Sequence, residues 1–335
     1  MAASPDLQML TNEPVLQEVA GLLPSTADRT RLYELLEADK IDMTEARELA
    51  HLLKTIIIPG EPEGAKEAQV NEDNIVAAIM DIQLAGEGGA SNDDDLDAIG
   101  TVGGSGPGEI AAAGVLDYLD PRNAIRIASL YLMKDRAGKV GANGVSTLMR
   151  DMLTRSRAPI HAVGHSFGSK VMLSALAADP RPTRKMKSAL LLQPAISYLS
   201  FAAHVPGRDA PGGYRDTLDL VESPIFSTYS ASDFPLHAIY HLALLRQKDL
   251  GEARIAAAPT TAGSPPSVYA ALGGYGPRDA AEQLIDPSPL PGEQVNYPQD
   301  ARIVGFDGSA GNRIDSHGGV ANPSTAWLLC EQMSR

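Results

Sequence analysis

Within residues 158–169 a short apolar run ends in Gly164-His165-Ser166-Phe167-Gly168, and apolar positions at helical spacing begin at once. A serine flanked by glycines two positions away, where a strand turns into a helix, is the pattern of a nucleophile elbow. The corner residue is held in a strained backbone conformation, so its neighbours two positions either side must lack bulk, a demand that Gly164 and Gly168 are expected to meet. The Ser166 hydroxyl then stands clear of the chain at the carboxyl edge of a sheet, and the Phe167 amide N–H points into the same space as an oxyanion donor. Val171, Met172, Leu173, Leu176 and Ala177 recur with helical periodicity, which predicts a helix over 167–178.

A serine hydroxyl is a weak nucleophile at neutral pH. It needs a base to take its proton and a third group to orient that base. Strand-like runs follow at 190–193 and 223–230, the second ending in Ala231-Ser232-Asp233, and a fourth strand-like run at 301–306 leads through a turn-rich loop to Asp315-Ser316-His317-Gly318-Gly319. His317 is the only histidine after position 241. The order Ser166, Asp233, His317 therefore offers nucleophile, orienting acid and base, each after its own strand. Asp307, which opens an Asp-Gly-Ser turn, and Asp315, two residues from His317, are rival acids. His165 occupies the free position of the motif and is expected to pack or hydrogen-bond beside the elbow, and His161 reads as a partly buried strand residue. His237 and His241 lie four apart on a predicted helix, but no HExxH pattern accompanies them and their surroundings are apolar, so no metal is expected.

Residues around these motifs resemble the α/β-hydrolase superfamily of serine hydrolases, from about Pro121 to the C-terminus. The most similar subset is the bacterial hydrolases with a Met-Lys-x-Arg-Ala-Gly segment before the elbow, matched here by Met133-Lys134-Asp135-Arg136-Ala137-Gly138, then Gly-His-Ser-Phe-Gly, then Leu191-Leu192-Gln193-Pro194-Ala195-Ile196. The resemblance implies a Ser/Asp/His hydrolase acting on a small-molecule carboxylic ester or similar acyl compound, with no cofactor. A peptidase or thioesterase of the same mechanism stands beside it, because no side-chain specificity pocket is identifiable. A second class of reading is a hydrolase-like scaffold that binds protein, with catalysis weak or lost. A second oxyanion donor normally comes from a loop after an early strand, frequently marked by a His-Gly pair. No such pair precedes the elbow, and Gly60 and Gly86 to Gly89 are the candidates.

The net charge of −14 is unevenly spread: residues 1–100 hold 21 Asp/Glu against 6 Lys/Arg, and the remainder is nearly balanced. Such a field repels nucleic acid and anionic membranes, and marks the N-terminal region as a candidate protein-binding surface or simply a solubilising one. One cysteine, Cys330, excludes an internal disulfide and fits a reducing compartment. The first twenty residues show no secretory signal pattern and no segment is long and apolar enough to span a membrane, so a soluble cytoplasmic protein is expected.

The elements that must hold the chemistry follow from capping and periodicity. Ser25 and Asp42, the latter with Glu45, cap two helices. Residues 55–58 are open between a short strand and a helix end, 74–84 between helix and strand, and 86–108 reads as a Gly-rich loop with no phosphate-loop ending. Asp120-Pro121 starts a helix running to about 133, and a second, 143–155, turns Val145, Leu148, Met149 and Met152 to one face. Asn322-Pro323 opens a last helix whose Trp327, Leu328 and Met333 are expected on the sheet. The 83 residues between Asp233 and His317 include a Pro/Gly-rich insertion at about 257–298 that is placed to cover the site. The fold expected is α/β: an α/β-hydrolase-like, mostly parallel sheet flanked by helices over 119–335, behind an acidic, mainly helical region over 1–118.

Overall fold

The computed structural model describes residues 14–58, 71–88, 118–206, 210–244, 265, 267 and 269–334. The chain divides into two compact units, 1–132 with 242–247, and 133–241 with 248–335.

In the first unit, helices α1 (Pro14–Gly21), α2 (Thr26–Glu37), α3 (Met43–Ile57) and α4 (Glu72–Gly88) precede α5 (Arg122–Lys139), which spans the division. Both predicted caps form. Ser25 Oγ accepts from Asp28 N at 3.0 Å. Asp42 Oδ1 accepts from Thr44 N and Glu45 N at 2.8 and 2.9 Å, and the Glu45 carboxylate accepts from Asp42 N at 3.1 Å, closing a capping box. Residues 55–57 are the last turn of α3, since Ile58 N still donates to Lys54 O at 2.9 Å. Residues 74–84 are helical because Ile75, Ile79 and Ile82 fall on one buried face and the Asn71 side chain caps Asn74 N. Arg31 grips Glu48 with two bonds, of 2.9 and 2.7 Å, at an exposed site where such a pair contributes at most about 1 kcal/mol. Of the segment read as a Gly-rich loop, 86–88 continue α4; residues 89–108, like Gly60, lie outside the described residues.

The second unit is built on a five-stranded, all-parallel sheet in the order β1-β2-β3-β5-β4, with β1 His161–His165, β2 Ser188–Leu192, β3 Ile225–Tyr229, β4 Gln283–Ile285 and β5 Ile303–Asp307. Helices cover both faces, which is why the inner strands read as nearly unbroken apolar runs. Ala189, Leu191, Ile225 and Ile303 face α7 (Phe167–Ala177) with its Met172, Leu173 and Leu176. Leu190, Phe226, Val304 and Phe306 face Leu328 of the last helix, α9 (Pro323–Ser334). Phe226 meets the rings of Phe306 and Tyr297 edge-on at 4.8 and 5.6 Å.

Three expectations need correction. The two helices before the elbow are not separated: α5 passes through a π-helical stretch, Val140–Val145, straight into α6 (Ser146–Arg155). The wide turns rephase the surface, so Ser146 and Leu153 are buried with Met149 half-buried, while Leu148 and Met152 are exposed. In α9, Met333 is 58 % exposed, and Gln332 takes the inward place by donating to Ala189 O and Pro224 O at 3.0 and 3.1 Å. Strand β4 was not expected at all: it lies inside the stretch read as an insertion, which also supplies α8 (Leu272–Tyr275), whose Leu272 and Tyr275 are buried in the cluster beneath α7.

Leu328→Ala should therefore lower stability by about 2–5 kcal/mol, the cost of a cavity beside Phe226 and Phe306. Met333→Ala should change it by less than about 0.5 kcal/mol. Denaturant unfolding of the two variants checks the contrast.

Candidate active site

Ser166 sits in the turn between β1 and α7 with φ 52° and ψ −127°, a left-handed conformation that costs a non-glycine residue about 1–3 kcal/mol. Two bonds hold it there. Ser166 N extends the sheet by donating to Leu192 O at 3.0 Å, and Ser166 O accepts from Ser169 N at 3.1 Å. The two elbow glycines are not equivalent. A Cβ on Gly164 would come within 2.7 Å of Ser169 Cα, because the first turn of α7 folds directly over it, whereas a Cβ on Gly168 would meet nothing within 4 Å. The bulk constraint thus falls on Gly164 alone.

Parallel strands deliver their carboxyl ends to one edge, and the loops after β1, β3 and β5 bring Ser166, Asp233 and His317 together there. His317 Nε2 lies 2.9 Å from Ser166 Oγ, and His317 Nδ1 lies 2.8 Å from Asp233 Oδ2. Asp233 is 0 % and His317 3 % exposed, so the ion-capable pair is closed to water. The rival acids are occupied elsewhere. Asp307 Oδ1 accepts from Ser309 N at 2.8 Å to brace the turn after β5, and Asp315 Oδ1 accepts from Ser316 Oγ at 3.0 Å within the histidine loop. Phe167 is the first residue of α7, and the N–H groups of a first helical turn have no partner within the helix. The positive end of the α7 dipole adds to the attraction for negative charge at that point. Gly86 and Gly88, offered as sources of a second donor, are helical residues of the first unit.

Several residues that frame the site carry no role that the sequence announces. Gln193, one position beyond β2, has φ 41° and 0 % exposure, and its Nε2 donates to Asp233 Oδ2 at 2.9 Å and to Gly273 O at 3.2 Å. Thr228 Oγ1 donates to Gln193 Oε1 and accepts from Gln193 N, each at 3.0 Å. Leu236 N donates to Asp233 Oδ1 at 3.0 Å. His165 packs as expected: its ring lies 4.9 Å from that of His317, and its Nε2 is 2.9 Å from His317 O, which makes that nitrogen the N–H donor. His161 is half-buried, with Nδ1 2.7 Å from Ser188 Oγ.

His237 lies within a π turn, Pro235–Ile239, and His241 in the short helical turn that follows it, Tyr240–Ala243. His237 stacks on Tyr275 at 4.4 Å, and His237 Nε2 and His241 Nδ1 are buried with no hydrogen-bond partner among the described residues. Burial pushes His165 and His237 below the ordinary histidine range and His241 down to about 4. Among the described residues no group of three His, Cys, Asp or Glu side chains is placed to hold a metal, and no helix is long and apolar enough to cross a membrane.

Comparisons of the chain with protein-family models, curated protein sequences and solved structures give no match.

Two predictions arise here. Gly164→Ala should lower the melting temperature sharply, while Gly168→Ala, in the first turn of α7, should leave stability unchanged or raise it by up to about 1 kcal/mol. For the imidazoles the sign is set by depressed affinity for protons in the folded state. Their stabilising contribution is complete above the unfolded value of about 6.5 and is lost as the pH falls toward the folded values, about 4 for His241. The melting temperature should fall through that window, and His241→Leu should flatten the fall.

Proposed function

We propose that this protein is a serine hydrolase of the α/β-hydrolase kind, cleaving a carboxylic ester or related acyl compound through a Ser166-His317-Asp233 triad and an acyl-enzyme. The observation that carries this reading is the unbroken line from Ser166 Oγ to His317 Nε2 at 2.9 Å and from His317 Nδ1 to Asp233 Oδ2 at 2.8 Å, drawn from three loops at one sheet edge.

The chemistry follows from donor and acceptor roles. An ionised Asp233 only accepts, so the shared proton resides on His317 Nδ1 and Nε2 presents its lone pair to the Ser166 hydroxyl. As Ser166 Oγ bonds to the acyl carbon, His317 Nε2 takes the hydroxyl proton and the carbonyl π electrons move to oxygen. The resulting oxyanion faces the Phe167 N–H and the positive end of α7. Collapse expels the alcohol, which leaves with the proton from His317. Water, deprotonated by the same nitrogen, then repeats the sequence and frees the acid. The burial of Asp233 holds the imidazole in one tautomer throughout. Ester, thioester and peptide substrates share these steps; the preference for an ester rests on the resemblance to bacterial hydrolases. The acid-rich N-terminal region is where we place any protein partner.

A fluorophosphonate probe should label the wild-type protein and leave Ser166→Ala unlabelled. Asp233→Asn should lower kcat by about 10⁴, as wrong-tautomer variants of serine hydrolases do, with KM little changed. Near-normal turnover in that variant would move the acid to Asp307 or Asp315. Folded wild-type protein that takes no label would favour the binding-scaffold reading instead.

A further inference from the structure

Gln193 does nothing for the sheet that a smaller residue would not do better. It stands just past β2 with a positive φ, where glycine would be unstrained, yet carries a long polar side chain with 0 % exposure. A buried amide in a strained position is retained for what it touches. Resting on the hydrolase reading above, we infer that Gln193 is the positioning residue for the acid: it fixes the Asp233 carboxylate and, through it, sets how strongly the His317 imidazole holds its proton.

The orientation of the amide is dictated by its neighbours. Thr228 has one hydroxyl proton and accepts from Gln193 N, so it must donate to Gln193 Oε1. That leaves the NH₂ end facing two acceptors, Asp233 Oδ2 and Gly273 O. A flipped amide would set a carbonyl oxygen against both, with no proton to place between it and either of them. The two NH₂ protons therefore have one destination each.

The acceptor chosen is the one that matters. Asp233 Oδ2 is the same oxygen that accepts from His317 Nδ1, while Oδ1 is taken by Leu236 N. A donor on Oδ2 draws negative charge away from the imidazole, so Gln193 weakens the pull of Asp233 on a protonated His317 and keeps the ring neutral, with its Nε2 lone pair available. It also ties the acid to a third element. Gly273 O accepts from both Gln193 Nε2 and Ser230 N, and Gly273 N donates to Pro194 O at 3.0 Å, which anchors α8 to the turn carrying Asp233. A Cβ on Gly273 would approach Gln193 C and Leu236 Cδ1 to 2.6 Å, so α8 lies directly against both. Among the described residues, titratable groups that face the pair include His165 from the elbow, ring to ring with His317, and His237 from the π turn, which feels the charges of Asp233 and Asp307.

The test replaces the amide with an apolar side chain of similar length, Gln193→Met. Two readouts are taken on folded protein: the titration of the His317 ring by NMR, and the pH dependence of kcat and KM on an aryl ester. The His317 titration should move to higher pH, with the acidic limb of kcat/KM moving alongside it. On the plateau kcat should drop by about tenfold to a hundredfold, the worth of a hydrogen bond to a charged group, with KM nearly unchanged. Gln193→Glu keeps shape and should recover activity only while its carboxyl is protonated and can donate to Asp233, so its activity declines as the pH rises across the wild-type plateau. Gln193→Gly, which fits the positive φ and removes the donor, should shift the His317 titration in the same direction and covers the case in which the methionine variant does not fold. Unchanged His317 titration in a folded Gln193→Met or Gln193→Gly overturns the inference. Because NMR reads the ring without turnover, that outcome is distinct from wild-type protein that shows no Ser166-dependent hydrolysis, which overturns the hydrolase reading alone.

Discussion

A carboxylate sealed from water is tolerable only where donors converge on it, and in this protein that constraint organises the second unit. Asp233 receives the His317 ring, the Gln193 amide and the Leu236 backbone on its two oxygens. Its own carbonyl accepts from His237 N at 2.7 Å, which begins the π turn that follows. Each donor comes from a different stretch of chain: the end of β2, the turn after β3 and the loop after β5. Solvating one buried charge thus requires three carboxyl-end loops to settle in register, and they can do so only because a parallel sheet sends all of its carboxyl ends to one side. The geometry that binds the charge is the geometry that aligns Ser166.

The same economy explains where strain is stored. Two non-glycine residues at the site have positive φ, Ser166 after β1 and Gln193 after β2, at adjacent strand ends. Each is locked by bonds to the next strand along: Ser166 N to Leu192 O, and Gln193 N to Thr228 Oγ1. The corner conformations persist because the ladder over-determines them, and in both cases the conformation aims a side chain at His317 or at its acid. Helix α7 supplies the remaining force, folding its first turn over Gly164 so tightly that only a hydrogen fits.

Local pattern carried far in the sequence. The Gly-x-Ser-x-Gly element with a strand before and a periodic helix after, the two capped N-terminal helices and three of the four later strands are each written in a short local run, and the structure contains each, with Ser166, Asp233 and His317 following three of the strands in turn. What was not legible depends on partners remote in the chain. Strand β4 is three residues long and becomes a strand only by lying beside β5. The continuous helix before the elbow turns on a π stretch containing Gly141 and Gly144, which reads as a break until the packing is known; a Cβ on Gly141 would strike Val171 O at 2.3 Å. Gln193 looks like a polar strand end because nothing nearby in sequence announces Thr228, Asp233 or Gly273 as its company. Gly168 shows the opposite error, a motif position given a steric reason that belongs to its twin.

The end of the sheet at β1 bears on how the nucleophile is held. Among the described strands β1 and β4 are the outer ones, and both are less buried than β3 and β5, which are buried at every position. Val163, at the centre of β1, is 48 % exposed. Among the described strands Ser166 therefore follows an outer one, while Asp233 and His317 follow inner ones. An outer strand has ladder bonds on one side only and is intrinsically freer to shift. Three contacts compensate at its carboxyl end: the bond from Ser166 N to Leu192 O, the pressure of α7 on Gly164, and the donation from His165 to the carbonyl of His317. The last of these is a direct hydrogen bond between the elbow and the loop that carries His317. The free position of the elbow motif is thus occupied by a histidine whose N–H ties the Ser166 turn to the His317 loop, beside the 2.9 Å contact of Ser166 with His317.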